Sequence, residues 1–224
     1  MLTNEKIKSF ISFDRSVDLL YDLSEDPYPA KLFGFNHSSL EKKELDTTYF
    51  GYVAEGTIEL KNEAGSFLLK KGMYFSSPKE INISGEGRGF VLAQNNYNGF
   101  FHIGGPVEEK GRLQYIDGCT DSLLISPPIM GDPCLNLLHI PKGTFQSQHT
   151  HPSFRIGMII SGYGQCICPE QSYDLHPGLT FLIPTDGLHS FKTDAEDLRV
   201  IAYHPDSDFG PTHEDHPMIN RTIL

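Results

Sequence analysis

An all-β protein built from two tandem β-barrels is what this sequence predicts, and three observations carry the prediction. Short runs of β-branched and aromatic residues are broken by glycine or proline at nearly every junction. The composition, with 15 Phe, 10 Tyr, 21 Gly and 15 Pro, suits strands joined by tight turns. The two halves also repeat: Gly56, Gly72 and Pro78 recur as Gly162, Gly178 and Pro184, each 106 residues later.

Taken in chain order, residues 13–23 read as a short helix or a first strand. Strands are expected at 49–53, 57–60, 66–69 and 89–93, then at 122–125, 135–140, 155–160, 165–168, 180–183 and 198–203. The stretch from Ser66 to Gly72 matches that from Ser172 to Gly178 in spacing and apolar placement, and Gly105-Pro106 recurs as Gly210-Pro211, 105 residues on. The repeated glycines mark turns that need positive φ or close backbone approach. The repeated proline ends a strand where a missing donor costs nothing. The repeat divides the chain into residues 1–106 and residues 107–224.

Composition narrows the function. A net charge of −11 with 18 scattered basic residues argues against nucleic acid or an anionic membrane as the main partner. No apolar run approaches the ~20 residues that span a bilayer, and the N-terminus lacks the layout of a secretory signal. A soluble cytoplasmic protein is expected. Of the four cysteines, Cys166 and Cys168 would share a strand face, but no second Cys/His pair sits at zinc-site spacing, so buried thiols are the expectation for Cys119, Cys134, Cys166 and Cys168.

The chemistry-bearing feature is a histidine set. His149 and His151 follow Gly143 by six and eight residues, and His189 follows a glycine-bounded strand pattern further on. If 146–151 is a strand, the two rings point to one face. A third imidazole from a neighbouring strand completes a three-nitrogen face that holds a metal and leaves coordination positions open.

These residues resemble the cupin superfamily. Its first motif runs glycine, His-x-His, an acidic ligand and glycine, and Gly143, His149, His151 and Gly162 take those places, with Arg155 where the acidic residue is usual. Gly178, Pro184 and His189 fit the second motif, with Gly187 displaced by one and Thr193 replacing an asparagine. The resemblance implies jelly-roll barrels, and with the repeat it implies a bicupin. Mapped back 106 residues, His149, His151, Arg155 and His189 fall on Lys43, Leu45, Tyr49 and Ile83, none a plausible ligand. The first barrel is therefore expected to be degenerate, with one divalent metal per chain in the second: Fe(II) first, then Mn(II), Zn(II) or Ni(II).

Three neutral ligands leave the metal its full charge, which favours anionic partners. Arg155, if it faces the interior, would orient a substrate carboxylate; alternatively it pairs with an Asp or Glu from the acidic C-terminal stretch. That stretch carries Asp206, Asp208, His213, Asp215 and His216, and is either a solvated tail or a segment folding over the barrel mouth, with 218–224 a candidate strand. His139 and His176 are expected to be bystanders, and no Gly-x-Ser-x-Gly elbow or phosphate loop appears. The resemblance points to a mononuclear iron dioxygenase acting on a small carboxylate- or enolate-bearing molecule, with His149, His151 and His189 on the metal. A metal-dependent isomerase or lyase, and a non-catalytic metallo-cupin that binds or senses a small ligand, are the alternatives. A monomer or a homodimer fits either.

Overall fold

The computed structural model describes residues 8–13 and 16–207. The first half of the chain is β1 (Ile11–Phe13), β2 (Asp18–Leu23), β3 (Ala30–Asn36), β4 (Leu40–Asn62), β5 (Gly65–Lys70), β6 (Tyr74–Asn95) and β7 (His102–Gly104). The second half is β8 (Leu113–Gln114), β9 (Thr120–Ile125), β10 (Cys134–Ile140), β11 (Arg155–Ser161), β12 (Gly164–Ile167), β13 (Ser172–Leu175), β14 (Thr180–Ile183), β15 (Ser190–Lys192) and β16 (Leu198–His204). The all-β expectation holds: among the described residues the only helix is the 3-10 turn Ile116–Gly118. No described helix is long and apolar enough to cross a membrane.

All the expected strands lie within observed ones, apart from Cys168 at the end of β12. Of the segment that reads as helix or strand, Phe13 ends β1 and residues 18–23 form β2. Two expected strands, 49–53 and 57–60, merge into one 23-residue strand, β4. It curls against the 22-residue β6, so that Tyr49 pairs with Ser77 on one side and Ala93 on the other.

The sheets segregate by half, with one exchange. A six-stranded sheet runs β2-β3-β6-β4-β5 with β7 beside β6, and a seven-stranded sheet runs β1-β14-β11-β16-β10-β9-β8, with β13-β12-β15 as a smaller third. β1 pairs with β14 through Ser12 and Phe181 and so crosses into the second half's sheet, while β7 stays with its own half, pairing with β6 through Ile103 and Phe75. Phe75 and Phe181 are repeat partners, 106 residues apart. Phe10, fully buried, stacks on Phe181 at 5.0 Å and anchors the exchanged strand.

The repeated glycines have a physical cause. Gly56 and Gly162 both hold positive φ, +69° and +79°, and a Cβ there would sit 1.9 Å from the Glu86 carbonyl oxygen and 1.8 Å from that of Asp197. Only glycine lets the neighbouring strand pass so close.

Strand alternation sorts the side chains into three apolar clusters. One fills the first sheet, around Phe35, Tyr49, Leu60 and Phe75. A second lies behind the histidines, around Ile140, Ile159, Phe181 and Val200. The third lies between the sheets, where Phe50 and Phe90 meet Leu135, Leu137, Ile156 and Tyr203. Each such side chain contributes about 1.5–3 kcal/mol on burial. Across that seam the Tyr203 hydroxyl donates to Gln94 Oε1 at 2.7 Å. With Leu135 and Leu137 facing the seam, Asn136 and Leu138 face the other way, toward the site.

Candidate metal centre

The structure brings His149, His151 and His189 together: one ligand atom from each lies within 4.8 Å of the others. Ring centroids are 4.5 Å apart for His149 and His189, 5.0 Å for His149 and His151, and 5.3 Å for His151 and His189. The route differs from the expected one. Residues 146–151 are not a regular strand; the segment touches its neighbour at isolated bridges, Phe145 to Lys192 and His149 to His189. At the second bridge the His149 N–H donates to the His189 carbonyl at 3.0 Å, and the His189 N–H donates back at 3.1 Å. The Asp186 N–H donates to the His151 carbonyl at 2.8 Å, tying the third ring to the turn before His189. Backbone exchange between two loops, not side-chain alternation along a strand, converges the rings.

Two tautomers follow from the surroundings. His149 Nδ1 lies 2.8 Å from the Ser147 carbonyl and His189 Nδ1 lies 2.8 Å from the Gly187 carbonyl. A carbonyl only accepts, so each Nδ1 carries the proton and each Nε2 offers a lone pair. His151 Nδ1 is buried with no partner among the described residues. Burial also favours uncharged rings. It lowers His149, it lowers His151 well below the usual imidazole range with help from Arg155, and it takes His189 to about 3. Neutral, pre-oriented and partly unsatisfied nitrogens are the donor set a divalent transition metal takes, so these residues fit a metal ion.

The rings border a cavity of ≈ 40 Å³, room for about three waters. Arg155, Asp121, Tyr115 and His204 also reach it, between apolar walls that include Leu138 and Phe181. Arg155, which opens β11, lines the cavity, and of the two sequence readings the pairing with a C-terminal acid is present: its Nη1 lies 3.2 Å from Asp206 Oδ1 in a buried ion pair. The same Nη1 donates to the Phe154 carbonyl at 2.9 Å and to Ser153 Oγ, which in turn donates to Asp206 Oδ1 at 2.8 Å. Burial pulls the guanidinium down from its ordinary range and Asp206 works against that. Asp208, His213, Asp215, His216 and 218–224 lie outside the described residues.

Three polar residues of the site escaped sequence reasoning. His204 shares a strand face with Val200 and Ala202, all three lining the cavity, and its ring stands 6.5 Å from that of His151. That period-2 pattern was available as a signal. Asp121 and Asn136 had none. Asp121 is 3% exposed and Asn136 fully buried, with Asn136 Nδ2 donating to Asp121 Oδ2 at 3.3 Å. Burial raises Asp121 to about 7.

The remaining expectations resolve simply. His139 Nε2 lies 3.0 Å from Asp197 Oδ2, and His176 Nδ1 lies 3.3 Å from the Pro177 carbonyl, both away from the cavity. All four cysteines are free and buried, with the Cys166 and Cys168 sulfurs 3.8 Å apart. In the first half, Lys43 is an exposed partner of Glu80 at 2.7 Å, Leu45 is 83% exposed, and Tyr49 and Ile83 are fully buried.

A family model described as the AraC-like ligand binding domain matches residues 134–216. No curated protein matches the chain. Among solved structures, a cupin 2 conserved barrel domain protein from Leptotrichia buccalis is similar at 12% identity and TM-score 0.62, over 88% of this chain and 89% of its own. A variant of salicylate 1,2-dioxygenase from Pseudoaminobacter salicylatoxidans is 9% identical, with TM-score 0.60 over 79% of this chain and 69% of its own. Oxalate decarboxylase from Bacillus subtilis, described with Mn(II) centres, is 12% identical, with TM-score 0.55 over 91% of this chain and 79% of its own. The chain has the all-β jelly-roll fold of the cupins, and its family match falls in the half that holds the three histidines.

Proposed function

We propose that the chain is a metal-dependent cupin enzyme of the mononuclear dioxygenase type, acting on a small carboxylate- or enolate-bearing molecule, with Fe(II) on His149, His151 and His189. The observation that carries this is the convergence of three neutral imidazoles, His151 and His189 buried and His149 half-buried, on a small cavity with Arg155 at its wall. A divalent iron there would supply Lewis acidity and one-electron redox chemistry toward O2.

The chain's own groups define the rest. The Ser147 and Gly187 carbonyls fix two rings so that the Nε2 lone pairs face inward. Arg155 is the group that attracts and orients an anion. Asp206 holds the guanidinium in place, and Ser153 bridges the two. Leu138, Phe181 and Val200 exclude bulk water, which strengthens each polar contact inside.

The first half, residues 1–106, fits a second barrel that has kept its turns and lost its ligands, beside a metal-bearing barrel of residues 107–224. Two features support this duplication: the sheets segregate by half, and Gly56 and Gly162 make the same close approach. Tyr49, at the position equivalent to Arg155, is buried in the apolar cluster of the first sheet. The described residues there hold no cluster of metal-binding side chains.

The AraC-like match favours one other reading, a metallo-cupin that binds or senses a small ligand without turnover. Anaerobic purification with Fe(II), metal analysis, and O2 uptake against a panel of small carboxylates and diketones separates the two. O2 consumption with a panel member supports the enzyme. One iron per chain with no O2 uptake across the panel moves the assignment to the binding module.

A further inference from the structure

The cavity wall carries an unexplained polar group, Asp121, joined to Asn136. Asp121 on β9 stands opposite Leu138 on β10, and both line the cavity. Asn136, two residues before Leu138, shares its face. One hydrogen bond joins the pair, from Asn136 Nδ2 to Asp121 Oδ2 at 3.3 Å. The other two oxygens, Asp121 Oδ1 and Asn136 Oδ1, are buried with no partner among the described residues.

Buried polar oxygens without partners are rare in native proteins and costly where they occur. Asp121 Oδ1 has no partner among the described residues, and the cavity is the space Asp121 opens onto. Nothing in the proposed metal chemistry uses these residues. Arg155 serves the anionic end of a ligand, so Asp121 is placed to serve a different part of the same molecule.

We propose that Asp121, braced by Asn136, is a specificity-determining group that accepts a hydrogen bond from a hydroxyl of the substrate, which makes that substrate a small hydroxy acid rather than a simple carboxylate. This rests on the reading that the three histidines hold a metal and that the carboxylate binds near it. Burial keeps Asp121 protonated up to about neutral pH, so it can also return a hydrogen bond to the same hydroxyl. An ordered water resting on Asp121 is the competing occupant, and a water gives no preference between ligands.

The test is binding of a matched pair, 3-hydroxypropionate and propionate, to Co(II)-loaded protein, read from the Co(II) absorption spectrum. Wild type should bind the hydroxy acid at least about fivefold more tightly, the lower end of what an unmade buried hydrogen bond costs. Asp121→Leu should abolish the preference, and Asp121→Asn, which still offers an acceptor, should retain part of it. A wild-type control keeps the test decisive if Asp121→Leu does not fold. The infrared stretch of the Asp121 carboxyl should shift on adding 3-hydroxypropionate and stay in place with propionate. Equal affinities, a preference that survives in Asp121→Leu, or an unmoved infrared band with Co(II) bound would overturn the proposal and leave the metal site standing. Folded protein that takes up no Co(II) would bring down the metal reading and, with it, this one.

Discussion

Replacing Asp121 by asparagine should make the metal-free protein more stable at alkaline pH and leave it unchanged in acid. The folded chain raises this carboxyl from its ordinary 3.8 to about 7, because burial penalises the charged form and the single bond from Asn136 only partly offsets that. A group raised in the folded state contributes fully below the unfolded value and loses that contribution as pH climbs through the folded value. Between pH 4 and pH 8 the loss for wild type comes to about 4 kcal/mol. Asparagine has the shape of the protonated acid and no proton to lose, so the variant escapes the loss. For a domain of this size, about 4 kcal/mol is roughly 8–16 °C in Tm. The lowered imidazoles act with the opposite sign. His189, at about 3, weakens the fold as pH drops below its ordinary 6.5, but equally in both proteins, so the difference isolates Asp121. Urea titrations in chelator at pH 4.5 and pH 8 measure it. A difference that stays flat with pH, or a variant weaker than wild type at pH 8, would mean Asp121 is ionised and partnered in the folded protein, and the burial argument would fail.

Three further outcomes follow from the geometry. His189→Ala should weaken Co(II) binding by more than the roughly 10–100-fold typical of losing an outer hydrogen-bond partner, measured by titration calorimetry; wild-type affinity would remove His189 from the site. Arg155→Ala strands the buried Asp206 carboxylate and should cost about 3–5 kcal/mol in urea unfolding, whereas the double change Arg155→Met with Asp206→Leu should recover most of it. Gly162→Ala should destabilise by more than about 3 kcal/mol, because its Cβ would meet the Asp197 carbonyl at 1.8 Å. Gly143→Ala, at a similar φ of +73° but with nothing within 4 Å, should cost only about 1–2 kcal/mol in the same assay.

The strands and the triad were readable for different reasons. Alternation and glycine spacing mark β4, β10, β11 and β16 because each buries an apolar face against a neighbour, which is what period-2 patterning reports. The three histidines are legible from their spacing, but a regular strand over 146–151 is not what converges them. A loop bridged at His149 and His189 converges the rings, and such pairing between distant loops leaves no periodic trace. Arg155 had two readings from sequence, and only coordinates could show it at the cavity wall and against Asp206 together. Asp121, between Thr120 and Ser122, and Asn136, between two leucines, stayed invisible because each is a lone residue in a segment whose pattern says only strand. A short strand such as β7 makes too few contacts to impose a pattern of its own.

The crossing of β1 to β14 bears on how the molecule is made. Ile11 leaves the ribosome about 170 residues before its partner Leu182. During synthesis this strand therefore has no place to dock until the residues through β14 exist, and such long-separation closure is slow. The strand that finally receives it, β14, also leads into the turn carrying Asp186 and His189. Closing the seven-stranded sheet and setting the last imidazole in position thus belong to one late event in biogenesis.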